Sequence, residues 1–177
     1  CWYSGAQGGR ALGEILFGQC NTSGKVPVTF YYDGTLPDFE DYSMKGRTYR
    51  YLDREPLYPF GYGLSYTSFQ YSGLKLEAYE HGKPLRGEVT VTNVGNYDGA
   101  EIVEVYIQNH VAKNAADSRN ASVCGLIGDQ PRYSLCSMRR VFLKAGESSK
   151  VEFEILPRSF ETVLEDGTRT VLFGSYS

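Results

Sequence analysis

Leu57-Tyr58-Pro59-Phe60-Gly61-Tyr62-Gly63-Leu64-Ser65-Tyr66-Thr67-Ser68-Phe69 is the stretch that divides the chain. It sets large, partly polar aromatic side chains between a proline and two glycines, so the backbone can bend while the rings stay adhesive. That combination suits a segment clamped between two packed bodies. Upstream the chain reads as helix, turn and strand with abundant glycine; downstream it alternates apolar and polar residues with turn signals at short intervals. The contrast predicts a boundary, with 1–56 the end of one unit, 57–68 an aromatic linker and 69–177 an all-β unit. Tyr58, Phe60, Tyr62, Tyr66 and Phe69 are the expected packing residues between them. Gly61-Tyr62-Gly63 lacks the third glycine and the following helix of a dinucleotide loop.

Downstream of the linker, Phe69 to Tyr79 and Glu88 to Asn93 alternate as strands, with Val89 and Val91 on one face. Gly95-Asn96-Tyr97-Asp98-Gly99 is a turn. Glu101 to Gln108 has apolar residues on both faces, which predicts a central strand. Met138 to Leu143, Val151 to Ile155 and Thr170 to Phe173 add three more, the first two joined at Lys144-Ala145-Gly146-Glu147. Short strands at this spacing predict a two-sheet, immunoglobulin-like Greek-key sandwich. Between Asn109 and Leu135 the pattern stops. A connection of that length, carrying Asn114, Asp117, Ser118, Arg119, Asn120, Gly125, Gly128 and Pro131, is either a partner-facing loop or a disordered one.

Upstream of the linker, Ala11, Leu12, Ile15 and Leu16 place one apolar face on a helix from Gln7 to Phe17, with Gly18 at its C-terminus. Lys25 to Phe30 reads as a strand whose Pro27 suits an edge. Tyr42, Arg47, Tyr49, Arg50 and Tyr51 fit a strand or an arm laid over a surface. One helix and one strand cannot bury each other, so this segment must complete a larger domain or lean on the β unit. Gly8-Gly9 could seat an anion, but no Gly-Lys-Ser/Thr follows, and close packing of the helix start is the better reading. Asp38, Glu40 and Asp41 invite an acid–base reading; in extended chain, however, Glu40 and Asp41 point to opposite sides.

The 177 residues carry a formal net charge of −3 and 41% hydrophobic residues, enough for a real core. Lys and Arg are scattered, which gives no electrostatic footprint for nucleic acid, and no apolar run is long enough to span a membrane. The opening Cys1-Trp2-Tyr3-Ser4 lacks an initiator Met and the regions of a signal peptide, so the chain reads as a piece of something longer. Cys1, Cys20, Cys124 and Cys136 show no C-x-x-C spacing, and His81 and His110 lie far from them, which predicts no metal or redox centre. Cys124 and Cys136 could bridge a loop, but isolated thiols explain them more simply. Asn21-Thr22-Ser23 and Asn120-Ala121-Ser122 match the N-glycosylation triplet without selecting a compartment, secreted or cytoplasmic.

Four stretches together resemble the C-terminal part of glycoside hydrolase family three. They are Gly8-Gly9-Arg10-Ala11 through Leu16-Phe17-Gly18; Asn21-Thr22-Ser23-Gly24-Lys25-Val26-Pro27-Val28-Thr29-Phe30; Asp41-Tyr42-Ser43-Met44-Lys45-Gly46-Arg47-Thr48-Tyr49-Arg50-Tyr51; and Pro59-Phe60-Gly61-Tyr62-Gly63-Leu64-Ser65-Tyr66. Val91-Thr92-Asn93-Val94-Gly95, Gly99-Ala100-Glu101 and Gly146-Glu147 resemble that family's fibronectin type III-like domain. Thr22 stands where the family usually has proline, and the long insertion after Gln108 is a second departure.

The resemblance implies that 1–56 are the last portion of an α/β sandwich domain and 69–177 a fibronectin type III-like sandwich, whose final strand opens at Gly174-Ser175-Tyr176. It implies a parent of the retaining β-glucosidase or β-xylosidase type acting on plant-type oligosaccharides or polysaccharides, with catalytic carboxylates on domains upstream. No catalytic, cofactor-binding or metal-binding residue carries over to this chain. The expected partners are the parent's barrel and α/β domains and its β-linked oligosaccharide substrate, with neither nucleic acid nor membrane. The orphan helix face would be covered by those domains, by a second copy of the chain, or by the β unit itself. The competing reading is a stand-alone carbohydrate-binding or adhesion sandwich, suggested by the tyrosine-rich run from Tyr42 to Tyr71.

Overall fold

A computed structural model describes residues 3–110 and 118–177, the side chains of Ser118 and Cys124 excepted. Cys1, any pairing of Cys124, and Asn114 and Asp117 of the long connection lie outside the described residues. The chain is mainly β. Helix α1 (Gly8–Leu16) and the single turn α2 (Thr48–Tyr51) precede the strands β1 (Phe69–Leu76), β2 (Leu85–Asn93), β3 (Gly99–Ile107), β4 (Ser134–Leu143), β5 (Ser148–Ile155), β6 (Glu161–Val163) and β7 (Arg169–Val171). The first sheet has the order β1-β2-β5, the second pairs β3 with β4, and β6-β7 form a hairpin. All pairings are antiparallel.

The alternation of β2 decides the core. Val89 and Val91 point inward and pair across the sheet with Val151 and Ser149 of β5, while Val103 and Ile107 of β3 and Leu143 of β4 close the core from the other sheet. Phe153, Ile155 and Phe160 complete it. The β4–β5 turn lies where the sequence puts it: Lys144 N–H donates to the Glu147 carboxylate at 2.8 Å and Ala145 N–H to that of Asp98 at 2.9 Å.

Several expectations need correction. Beside β4, β3 is not flanked by another full strand among the described residues; past its end, Gln108 exchanges two backbone hydrogen bonds with Ser177, and Asn109 bridges Tyr176. Its outer face is covered instead by the segment that precedes β1. Lys25 to Phe30 makes one bridge, Phe30 to Tyr58, rather than a strand: Val26 and Phe30 bond the linker, and among the described residues no bond between Val28 and Phe60 joins them into a ladder. The stretch from Tyr42 to Tyr51 is no strand, although its Tyr49 does lie on the sandwich. Arg47 folds it into a loop by donating to the carbonyls of Ser43, Asp38 and Asp41, and a single helical turn follows. The connection before β4 is not patternless: it holds 3₁₀ turns at Ser118–Asn120 and Cys124–Leu126, and β4 begins at Ser134. β6 has no counterpart in the sequence reading, because Glu161-Thr162-Val163 is too short to show a period.

Candidate functional site: the aromatic linker and its clamp

The linker is held from both sides. On its upstream side it runs antiparallel to residues 26–30: Phe30 N–H donates to Tyr58 O (2.9 Å), Tyr58 N–H to Phe30 O (3.3 Å), Val26 N–H to Tyr62 O (2.8 Å) and Gly61 N–H to Val26 O (2.9 Å). Asn21 adds a three-way tie. Its amide donates to Asp98 O at 3.2 Å, and its carbonyl oxygen accepts from Ser65 Oγ (3.2 Å) and Tyr66 N–H (3.0 Å). Thr22 donates to Leu64 O, so this residue, in the position of the family's proline, ties the turn to the linker by its hydroxyl. At the far end the Tyr66 hydroxyl donates to Ile15 O of α1 at 2.8 Å.

On the sandwich side the anchor is a cluster of four rings from four segments. Phe60 stacks on Tyr49 of α2 with centroids 4.3 Å apart; Tyr49 meets Tyr106 of β3 at 6.0 Å and Tyr133 at 5.6 Å, and the last two contact each other at 5.4 Å. Such ring pairs add about 0.5–1.5 kcal/mol each beyond their buried area. The polar tips are satisfied as well. Leu135 N–H donates to the Tyr49 hydroxyl at 3.0 Å, and the Tyr106 hydroxyl donates to Glu104 Oε2 at 2.7 Å. Burial, then the hydrogen bond to and charge of Glu104, push the Tyr106 hydroxyl well above the usual phenol range. Gly61 sits at φ +80°, and a Cβ there would lie 2.3 Å from Glu104 Oε2, so both the turn and the approach require glycine.

A second polar contact lies along β3. Glu101, only 9% exposed, accepts from the Tyr71 hydroxyl at 3.0 Å and pairs with Lys25 Nζ at 3.0 Å. Burial and the neighbouring Glu101 charge keep the Tyr71 hydroxyl protonated. At the base of the linker, Asn93 is fully buried. Its amide donates to Tyr97 O (2.8 Å) and Leu143 O (3.1 Å), and its oxygen accepts from Thr67 Oγ1 (2.6 Å) and Gly95 N–H (3.1 Å). A Cβ on Gly95 would meet Thr67 Oγ1 at 2.2 Å, so the Asn93-Val94-Gly95 turn admits the linker only with glycine there.

The described part of the long connection is tied to the rest of the chain at two places. Arg132 N–H donates to Arg50 O at 2.7 Å and its guanidinium to Leu52 O, strapping α2 to the sandwich. Asn120 is buried and exchanges hydrogen bonds with Phe173 through both amide atoms, at 2.9 and 3.0 Å. That leaves the Asn120 nitrogen committed and buried, although Ala121 and Ser122 of the same triplet are exposed.

The five linker aromatics are therefore placed differently. Phe60 is packed in the ring cluster and Phe69 lies partly buried against the core; Tyr58 packs on Phe30 (6.1 Å) and Tyr62 (5.0 Å); Tyr62 and Tyr66 keep exposed faces. The acidic run forms no facing pair of carboxylates. Asp38 accepts from Glu40 N–H and Asp41 from Ser43 N–H, and the latter bonds hold the Asp41 carboxyl below its ordinary range. These groups shape a turn. Tyr49 belongs to the run that the sequence lays over a surface; Asn21, Lys25, Glu101 and Arg132 are not singled out for this contact by the sequence. The one local signal was Glu101, a carboxylate at the head of an otherwise apolar strand.

Comparison with known proteins adds the following. Residues 1–66 match the model of the glycosyl hydrolase family 3 C-terminal domain, a match that ends three residues before β1. The chain is 42% identical over 161 residues to a xylan 1,4-beta-xylosidase of Xylanibacter ruminicola, covering 90% of this chain and 17% of that protein. It superposes on a GH3 beta-glucosidase of Bifidobacterium adolescentis with TM-score 0.79 at 29% identity, covering 99% of this chain and 26% of the other. With beta-glucosidase 3B of Thermotoga neapolitana, in complex with alpha-D-glucose, the TM-score is 0.73 at 32% identity, for 92% and 23%. The chain thus spans about a sixth to a quarter of the length of these relatives.

Proposed function

We propose, for a chain that belongs to glycoside hydrolase family 3 and aligns with a limited part of its enzymes, a bracing role without catalysis of its own. In this reading residues 1–56 finish an α/β domain, 57–68 are the linker and 69–177 the brace, with Tyr58, Phe60, Tyr62, Tyr66 and Phe69 as the packing residues between domains. The parent is a retaining β-glucosidase or β-xylosidase acting on plant-type saccharides, and its acid and nucleophile reside on its other domains.

The observation that carries the reading is the two-sided character of residues 3–68. One side is stitched to the sandwich by the contacts above. The other leaves apolar side chains in water: Phe17 is 85% exposed, Phe39 88% and Tyr42 87%, with Leu16, Leu36 and Leu64 close behind. A contiguous unit does not leave this much apolar surface open unless something covers it. The length of the relatives beyond this chain supports the occupant, the remainder of the parent.

The test is a pair of measurements on Phe17→Ser. In the 177-residue chain the change touches only solvent and leaves the melting temperature unaltered; in the full-length parent it lowers the temperature of inactivation. Equal effects in both contexts contradict the reading. The adhesion alternative draws on the exposed faces of Tyr42, Tyr62 and Tyr66, and a glycan array with the isolated chain separates it: specific retention of glycans favours that module, none favours the brace.

A further inference from the structure

A cleft of about 290 Å3 opens where the end of β3 and the start of β4 meet the β6–β7 hairpin. Ile107, Phe160 and Tyr176 are among its lining, the first two almost wholly buried (7% and 5% exposed) and Tyr176 half-buried, with the Phe160 and Tyr176 rings 5.6 Å apart. Across it Asn109 Nδ2 donates to Thr162 Oγ1 at 3.2 Å, and the hydroxyls of Ser134 and Ser159 also line it. Arg50 and Tyr51 of α2 and Arg158 also line it.

The charge of this cleft runs against that of the chain. Arg50, Arg158 and Arg169 face only Asp129 and Glu161, a balance of +1 in a chain of net charge −3. Glu161 is taken by Arg169 at 3.8 Å. The Arg50 guanidinium lies over the Tyr51 ring at 5.8 Å, and neither it nor that of Arg158 forms an ion pair with a described carboxylate. Guanidinium groups without a carboxylate partner are suited to take one from a ligand by charge-assisted hydrogen bonds. The accessible part of the Tyr176 ring suits the C–H face of a pyranose ring, and polar side chains such as Asn109 and Thr162 suit its OH groups. The volume suits one ring and leaves a bare sulfate or phosphate poorly contacted.

We propose that this cleft binds a carboxylated pyranose, a hexuronate unit, with Arg50 and Arg158 taking the carboxylate and the ring lying against the Phe160–Tyr176 side. This proposal does not rest on the bracing role. It would let the sandwich hold acidic branches of a saccharide while chemistry proceeds elsewhere.

The experiment is a two-dimensional NMR titration of the 177-residue chain at low salt with D-glucuronate, and in parallel with D-glucose and inorganic sulfate. The expected result is a saturable response to glucuronate at the amides of Ser134, Ser159 and Thr162, with glucose and sulfate at least about tenfold weaker. Added sodium chloride weakens glucuronate binding, as screening requires. Arg50→Gln and Arg158→Gln each lower the affinity about tenfold, whereas Arg86→Gln, on the β2 ion pair with Glu154, leaves it unchanged. Both test arginines are exposed, so the variants keep the fold, and their unperturbed spectra verify it. Equal binding of glucose, equal binding of sulfate, no saturation by glucuronate, or binding that survives the double substitution each overturns the proposal.

Discussion

Residues 3–68 and residues 69–177 are stabilised by different means. Among the described residues, the second region holds every buried hydrophobic except Leu52: Leu85, Val91, Val103, Leu143, Phe153 and their neighbours form one core between the sheets. The first region has almost no interior. Its helix buries no residue, and its order comes from backbone hydrogen bonds to the linker, the Asn21 tie, the Lys25–Glu101 pair and the ring cluster around Tyr49. The lesson is that a core makes a region self-sufficient, while a set of directional contacts makes it dependent on what it touches. The sandwich should outlast the loss of the upstream segment, and the reverse should fail.

Breaking the core is the largest perturbation. Leu143→Ala removes a side chain that is almost wholly buried and should cost about 3–5 kcal/mol, abolishing both regions in one transition in a urea titration. Asn93→Ala strikes the joint between them, leaving the carbonyls of Tyr97 and Leu143 without their donor; about 2–3 kcal/mol is expected, read as a fall in thermal midpoint. Gly61→Ala forces a Cβ into the left-handed region and onto Glu104, costing about 1–2 kcal/mol. Its effect should be local: hydrogen exchange speeds at Val26, Phe30 and Tyr58 while the amides of β2 keep their protection. If β2 loosens equally, the two regions are one cooperative unit and the distinction fails.

The smallest effect sharpens the same contrast chemically. The Cys136 thiol, half-buried and donating to Val105 O at 3.2 Å, is pushed by burial from its ordinary 9.0 up to about 11, whereas Cys20 lies exposed in the upstream region. Iodoacetamide near pH 8 should therefore label Cys20 well before Cys136, as peptide mapping would read out. Because the folded state holds the proton more tightly than the unfolded one, this group's contribution to stability is complete below about pH 9 and is lost as pH rises toward 11.

The sandwich was legible because period-two alternation reports burial directly: Val89 and Val91, and Val103 with Ile107, announce their faces within a few residues. The helix from Gly8 was equally readable from the 3.6 period. The aromatic run between Pro59 and the glycines, with the change of pattern on its two sides, marks the linker. What remained hidden was the clamp, since its contacts join residues far apart: Asn21 reaches Asp98, Arg132 reaches Leu52, and Tyr49 meets Tyr133. No local pattern encodes a contact across eighty residues. The upstream strand and arm were misread for the same reason. Alternation in Lys25 to Phe30 and Tyr42 to Tyr51 is real, but the first pairs with the linker only at Val26 and Phe30, and Arg47 draws its loop inward through three carbonyls.

The most direct test of the bracing role is hydrolysis of aryl β-glucoside and aryl β-xyloside by the purified chain, alone and mixed with the upstream part of a full-length parent. The bracing role predicts no turnover by the chain alone, and turnover by the mixture above that of the upstream part. Turnover by the chain alone would contradict it, and would return attention to Asp38, Glu40 and Asp41.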